Sequence, residues 1–252
     1  MKAVDPLLVS TIKELQQLPS LNSFMLAGGT NLALLYNHRV SYDIDLVSSN
    51  IIGNEGFEKI ITEVAGIYGS KNIIVNKINT ELDGQFIFLR LFITKSETII
   101  KIEFLQNIQY LTEPDEFDGM RILSKQDIGL LKLMSASNRF AKKDTYDLDY
   151  ITDEIPLGEL FSLLQIKSEK YNKPQHRNIF DLDNEISPLT RPELLLEFDK
   201  RKYSKNKPFH SNDRIDIIEG SKSWQEARIS WRFKVRKLFQ DLGLEFPSSV
   251  RE

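Results

Sequence analysis

The sequence predicts an α+β fold: a mixed β-sheet domain with flanking helices over residues 1–115, then a helical C-terminal domain over residues 116–252. Residues 72–105 are rich in Ile, Val and Phe and are broken only by polar turns, so they read as three successive strands, 72–78, 85–94 and 98–105. An acidic break follows at Glu113-Pro114-Asp115-Glu116, and beyond it the apolar spacing is helical almost throughout. Ahead of these strands, a diglycine and two aspartates one residue apart fall in strand–turn–helix–strand order.

The elements follow in chain order. Residues 5–18 carry Leu8, Ile12, Leu15 and Leu18 at helical spacing, and Pro19 ends the run. Residues 24–27 form a short apolar strand that stops at Gly28-Gly29, and Thr30 is placed to cap a helix reaching Asn37. Residues 42–47 alternate as a strand, with Tyr42, Ile44 and Leu46 facing a core and Asp43 and Asp45 facing away. A helix spans 57–68, and Lys95-Ser96-Glu97 makes a tight hairpin connection. Helices are predicted over 125–142 and 157–170, followed by a polar stretch holding Pro174, Pro188 and Pro192. The last helix, 224–242, aligns Trp224, Ala227, Trp231, Val235, Leu238 and Leu242 on one face.

Composition narrows the function. With 41% hydrophobic and 27% charged residues, the 252-residue chain reads as a globular protein with a sizeable core. A net charge of -3 supplies no global field for nucleic acid, so any such binding must come from a local patch. The absence of cysteine excludes disulfide scaffolds, cysteine nucleophiles and thiolate zinc sites. Asp5 and Pro6 interrupt what a signal peptide would need as an apolar core, and no apolar run approaches the roughly 20 residues of a membrane span. The expectation is a soluble, cytoplasmic protein without a membrane partner.

Side chains two apart on a strand share a face, so Asp43 and Asp45 point together. Paired carboxylates repel each other, and a divalent cation relieves this; oxygen donors of this kind suit Mg2+ or Mn2+. Gly28 and Gly29 let backbone N–H groups approach a phosphate, the following helix aims its donors at the same point, and Thr30 adds a hydroxyl. In residues 98–105, Ile100, Ile102 and Phe104 share one face and Glu103 lies on the other with Lys101. If that strand lies beside the aspartates, Glu103 completes a carboxylate triad; the plainer reading is a strand carboxylate paired with Lys101. On the 125–142 helix, Lys132, Ser135, Ala136, Arg139 and Lys143 form a stripe able to meet phosphates, with Lys132 in the leading role. Taken alone, that stripe reads better as a solvated helix face, and a lone diglycine or aspartate pair is more often a turn or a strand edge. Their joint occurrence gives the pattern its weight.

Gly28-Gly29-Thr30 followed by His38-Arg39-Val40-Ser41-Tyr42-Asp43-Ile44-Asp45-Leu46 resembles the AbiEii/AbiGii abortive-infection toxin family, part of the DNA polymerase beta-like nucleotidyltransferase superfamily. Residues 132–147 resemble the family's later motif, a helical lysine followed by a basic-Asp pair and another Asp; here that pair is Lys143-Asp144, and Lys in place of Arg forgoes a bidentate contact. The likeness covers residues 25–147. It implies a nucleotidyltransferase-type sheet domain and a helical domain contributing a nucleotide-binding lysine. The activity it implies uses an NTP with Mg2+, moves a nucleotidyl group to an acceptor such as RNA or tRNA, and is opposed by a cognate antitoxin. By motif position Asp43, Asp45 and Glu103 are the catalytic and metal-holding carboxylates. Gly28, Gly29 and Thr30 are the phosphate turn and Lys132 is the nucleotide lysine, with Arg139 and Lys143 in support. Arg39 and Ser41 are counted with the nucleotide site, where their simplest task is to position the aspartate strand. Asp144 and Asp147 match without separate roles, and helix capping or orientation of Lys132 fits them as well as chemistry does.

For an acceptor, the helical half offers a basic run, residues 200–207, and an arginine stripe at Arg228, Arg232 and Arg236. Either feature alone reads more simply as a solvated surface. His176 and His210 are isolated and read as ordinary polar residues. Two further readings stay open: transfer to a small hydroxylated molecule, as in aminoglycoside nucleotidyltransferases, and a non-catalytic NTP-binding interaction module.

Overall fold

The computed structural model describes residues 2–78, 84–139, 141–199 and 214–247. The chain forms two compact units, one of residues 1–124 with 171–182, the other of residues 125–170 with 183–252. The division therefore falls after Ser124, later than the position near residue 115 read from the sequence. The reason lies in the acidic break, which itself contains a strand.

The first unit is built on a seven-stranded mixed sheet in the order β3-β4-β5-β2-β1-β7-β6. Its strands are β1 (Met25–Leu26), β2 (Ile44–Val47), β3 (Ile73–Ile78), β4 (Phe88–Lys95), β5 (Thr98–Leu105), β6 (Asp115–Phe117) and β7 (Met120–Ile122). Two-residue turns close both hairpins through left-handed backbone: Ser96 and Glu97 (φ 48° and 64°) between β4 and β5, Asp118 and Gly119 (φ 50° and 75°) between β6 and β7. Such turns match the twist of the strands they join. β7 then pairs with β1 in parallel, which carries the sheet past the acidic segment. Strand β5 alternates as its sequence requires: Ile100, Ile102 and Phe104 are buried, while Lys101 and Glu103 face the opposite, partly open side.

Helix α1 (Pro6–Leu15) starts at Asp5, whose carboxylate accepts from Leu7 N at 2.7 Å. Helix α2 (Gly28–Tyr36) has Ala27, not Thr30, at its N-cap position and no side-chain cap, and α3 (Gly53–Tyr68) packs on β3 and β4, burying Phe57, Ile60 and Val64. Tyr42, expected in the core, is 61% exposed, and it precedes β2 rather than lying within the strand. Residues 171–182 rejoin this unit: Asn107 Nδ2 donates to Gln175 O (3.0 Å) and Arg177 O (2.6 Å), and Tyr171 Oη donates to Tyr110 O at 2.8 Å.

The second unit is helical: α4 (Lys125–Arg139), α5 (Lys142–Glu154), α6 (Leu157–Lys170) and α7 (Trp224–Asp241). The single helix expected over 125–142 is two, because Ala141 is extended (φ -86°, ψ 121°) and starts α5. Lys143 thereby leaves the α4 stripe. Leu160 lies where a side chain on Gly129 would stand, 3.1 Å from its would-be Cβ, so glycine lets α4 and α6 approach. On α7, Ala227, Trp231, Val235 and Leu238 are buried, Trp231 Nε1 donating to Leu195 O at 2.8 Å; Leu242 follows the helix end and is exposed. No helix among the described residues is long and apolar enough to cross a membrane.

Candidate active site

The first unit brings the aspartate strand, the glutamate strand and the diglycine helix together. β2 and β5 run parallel, with Ile44 opposite Ile102 and Asp45 opposite Glu103. Partners in register project to the same face, so Asp45 and Glu103 stand side by side, with Asp43 two residues away on that face. The buried Ile44, Leu46, Ile102 and Phe104 anchor the other face. The condition set by the sequence, that the Glu103 strand lie beside the aspartates, is met in space.

The diglycine has a steric cause distinct from phosphate binding. Ala27 N donates to Asp45 O at 2.8 Å, and the chain turns at once into α2 with Gly28 at φ 65°. A Cβ on Gly28 would lie 1.9 Å from Asp45 Oδ2, and one on Gly29 would lie 2.4 Å from Arg39 Nη2. Neither position tolerates a side chain while Asp45 and Arg39 stay where they are. Thr30, fully buried, is hydrogen-bonded to Ser41 Oγ (2.8 Å) and donates to Asp43 O. Thr30 thus ties α2 to the approach of β2. Arg39 and Ser41 are also buried, Arg39 Nη1 donating to Val40 O at 3.2 Å, so both brace the turn and the aspartate strand from behind.

Two cations that the sequence reading did not place in the site stand among the carboxylates. Lys101 Nζ lies 3.0 Å from Asp43 Oδ2 and 3.4 Å from Glu103 Oε2. Arg90, paired across the ladder with Glu103, approaches Oε1 through Nη2 (2.6 Å) and Nε (2.8 Å), and its guanidinium lies 5.5 Å from the centre of the Phe88 ring. Burial works to raise the Glu103 pKa, but Lys101 and then Arg90 outweigh it and hold the carboxyl below its usual range. Burial likewise disfavours the Lys101 ammonium, and the charges of Glu103 and Asp43 overcome it, raising its pKa. Among the described residues no group of three His, Cys, Asp or Glu side chains is drawn together tightly enough to hold a metal. The donor set still suits a hard cation: Asp43, Asp45 and Glu103 offer only oxygens on one face, and Asp43 is 49% exposed. Asn31 was also passed over; buried on α2, it donates to Leu26 O and Leu123 O at 2.9 Å each and fastens the helix to the sheet.

Lys132 lies in the second unit and is almost fully buried. Its Nζ is 2.6 Å from Asp144 Oδ1 and 2.8 Å from Asp147 Oδ2, both carboxylates on α5. Of the readings the sequence leaves open for Asp144 and Asp147, the structure fits orientation of this lysine. Arg139 is half-buried at the end of α4, and Lys143 is half-buried on α5. Arg228 and Arg236 are exposed on α7 and Arg232 is half-buried; the basic run 200–207 and His210 lie outside the described residues.

Comparison with known proteins gives a family and a fold. The family described as nucleotidyl transferase AbiEii toxin, type IV toxin–antitoxin system, matches residues 12–234. An uncharacterized protein of Aquifex aeolicus is 29% identical over 168 residues, covering 63% of this chain and 68% of that protein. Among solved structures, MenT4, a nucleotidyltransferase toxin of Mycobacterium tuberculosis, superposes with a TM-score of 0.50 at 19% identity, over 95% of this chain and 83% of that one.

Proposed function

The chain belongs to the AbiEii nucleotidyltransferase toxin family, and on that premise we propose that it transfers a nucleotidyl group from an NTP to an acceptor hydroxyl with the help of Mg2+ or Mn2+. The observation that carries the proposal is the in-register pairing of Asp45 with Glu103 directly against the side-chain-free turn at Gly28. In the reaction, the acceptor oxygen bonds to the α-phosphorus of the NTP, the bond to the bridging oxygen breaks, and pyrophosphate leaves. A metal held by Asp43, Asp45 and Glu103 would supply charge stabilisation and polarise the reacting oxygens.

The chain's own residues do the rest. The first backbone N–H groups of α2, at Gly29 and Thr30, belong to a helix N-terminus with no side-chain cap, and such a terminus is assigned here to a phosphate. Arg39, Ser41 and Thr30 keep that turn and Asp43 in fixed relation. A carboxylate of the cluster receives the acceptor proton, and Glu103 is assigned that task. Lys132, held by Asp144 and Asp147, is assigned to the nucleotide phosphates, with Arg139 and Lys143 in support; orientation by two carboxylates fits a lysine that must present its charge in one direction.

RNA, and tRNA ends in particular, is the acceptor we favour, and a cognate antitoxin is the proposed protein partner. The exposed arginines of α7 support an anionic acceptor. The test incubates the full chain with each labelled NTP, Mg2+, total RNA and small hydroxylated molecules. Label should enter RNA, and Asp45→Ala should abolish it. Label confined to the small-molecule fraction would select the small-acceptor chemistry instead, and equal labelling by Asp45→Ala would remove the proposed site. Induced expression should arrest growth, and the same substitution should relieve the arrest.

A further inference from the structure

We propose that Lys101 is a built-in counter-ion of the carboxylate site, occupying it in the metal-free chain and giving way to the divalent cation. The inference rests on the reading of Asp43, Asp45 and Glu103 as the metal-holding set and adds the residue that governs entry to it. Its ground is the placement of one ammonium group. Lys101 Nζ contacts Asp43 Oδ2 at 3.0 Å and Glu103 Oε2 at 3.4 Å, so a single positive charge bridges a carboxylate of β2 and a carboxylate of β5. A cation shared by those two strands would need the same two oxygens.

Arg90 does not compete for that role. It approaches only Oε1 of Glu103, through two nitrogens of a rigid fork, and leaves Oε2 to Lys101. Lys101 reaches its partners at longer distances, on a flexible four-carbon stem that is 29% exposed. Arg90 therefore fixes the glutamate, and Lys101 is the exchangeable member. The charges also fit an exchange. Lys101 lies between Asp43 and Glu103 and offsets their mutual repulsion, and a divalent ion at the same oxygens would offset it more strongly. When the ion enters, the ammonium keeps its proton and moves outward along the open face of the sheet.

The experiment measures Mn2+ binding to the full chain by the loss of the free-ion electron paramagnetic resonance signal, with thermal unfolding followed with and without Mg2+. Lys101→Met should bind Mn2+ about tenfold more tightly, the size expected from removing one competing unit charge at a half-exposed site. The same variant should show a lower unfolding midpoint without metal and a larger upward shift with Mg2+. Lys101→Arg, which keeps the charge, should bind close to the parent, and Lys101→Gln serves as a second neutral variant should the methionine disturb folding. A purely structural lysine predicts weaker binding, or none of these changes. Parent binding that is lost in Asp45→Asn, combined with unchanged or weaker binding in folded Lys101→Met and Lys101→Gln, overturns the counter-ion and leaves the ligand set standing. A parent chain that takes up no Mn2+ overturns both.

Discussion

Two clusters of acidic and basic side chains, one in each unit, are built to opposite specifications. On the sheet face, Lys101 bridges Asp43 and Glu103, Arg90 holds the other oxygen of Glu103, and the Asp43 side chain is 49% exposed. In the helical unit, Asp149 and Asp153 on α5 are matched one for one by Lys222 and Lys234: Asp149 is fully buried and takes Lys222 at 2.6 Å and Lys234 at 2.8 Å, and Asp153 takes Lys234 at 2.6 Å and Lys222 more closely still. Lys234 also donates to Asp149 O at 2.7 Å, and Lys222 lies just before α7, so the balanced cluster clamps α5 to α7. The helical cluster is anchored on a carboxylate with no exposure, Asp149, whereas every carboxylate that Lys101 or Arg90 contacts on the sheet face keeps some access to water. Removing one partner should therefore destabilise the helical cluster, whereas the same operation on the sheet face should change chemistry and leave the fold in place.

The largest effect should come from Asp149→Ala, which leaves two ammonium groups facing a single remaining carboxylate and should cost about 3–5 kcal/mol of stability, read from denaturant unfolding. Asp45→Ala should instead lower nucleotidyl transfer by more than about a hundredfold, beyond the loss typical of an outer-shell partner of a metal, with an unfolding midpoint that moves far less than that of Asp149→Ala. An Asp45→Ala protein that unfolds would break the contrast. Gly28→Ala lies between the two kinds: its left-handed backbone (φ 65°) should cost about 1–2 kcal/mol, and its methyl must push the Asp45 carboxylate aside, so activity should fall further than stability.

A last test, confined to alkaline pH, concerns a cation short of acidic partners. Lys167 on α6 is short of acidic partners: burial pushes its pKa down to about 8, and Asp127 opposes this only in part. The unfolded chain keeps this proton up to its ordinary value of 10.5, so between pH 8 and 10.5 the folded state binds fewer protons and stability should rise with pH. Lys167→Met should remove that rise, seen as the difference between the two proteins' unfolding midpoints across the window.

Much of the sheet domain was legible because β-strands declare themselves by alternation: Ile100, Ile102 and Phe104 against Lys101 and Glu103 is a pattern of period two, which a helix would scatter around its circumference. The partnership of β2 with β5 was inferred only from the chemistry of Asp45 and Glu103, since nothing local specifies which strands become neighbours. The Asp118-Gly119 hairpin was missed although that dipeptide is a strong turn signal; the surrounding charge of Glu113, Asp115 and Glu116 hid strands only three residues long. The break between α4 and α5 was obscured for a related reason, because Ala141 carries no helix-stopping chemistry and only its backbone angles end the run. Arg90 and Lys101 escaped notice as site residues because a cation beside a carboxylate on a strand is the commonest of surface pairs, and its meaning depends on the third and fourth partners that the fold brings in. Asn31, Gln106 and Asn107 fasten loops through backbone carbonyls and N–H groups, contacts that leave no periodic trace.

The return of residues 171–182 to the sheet unit makes that unit discontinuous in the chain, with α4, α5 and α6 inserted before its last segment. During synthesis the sheet unit therefore lacks its final pieces until the ribosome has passed Leu182, and Asn107, Tyr110 and Gln85 wait for partners through the making of three helices. A fragment ending at Ser124 would carry every carboxylate of the sheet face and still be an unfinished body. In this chain that order of assembly delays a complete sheet unit until most of the polypeptide has emerged.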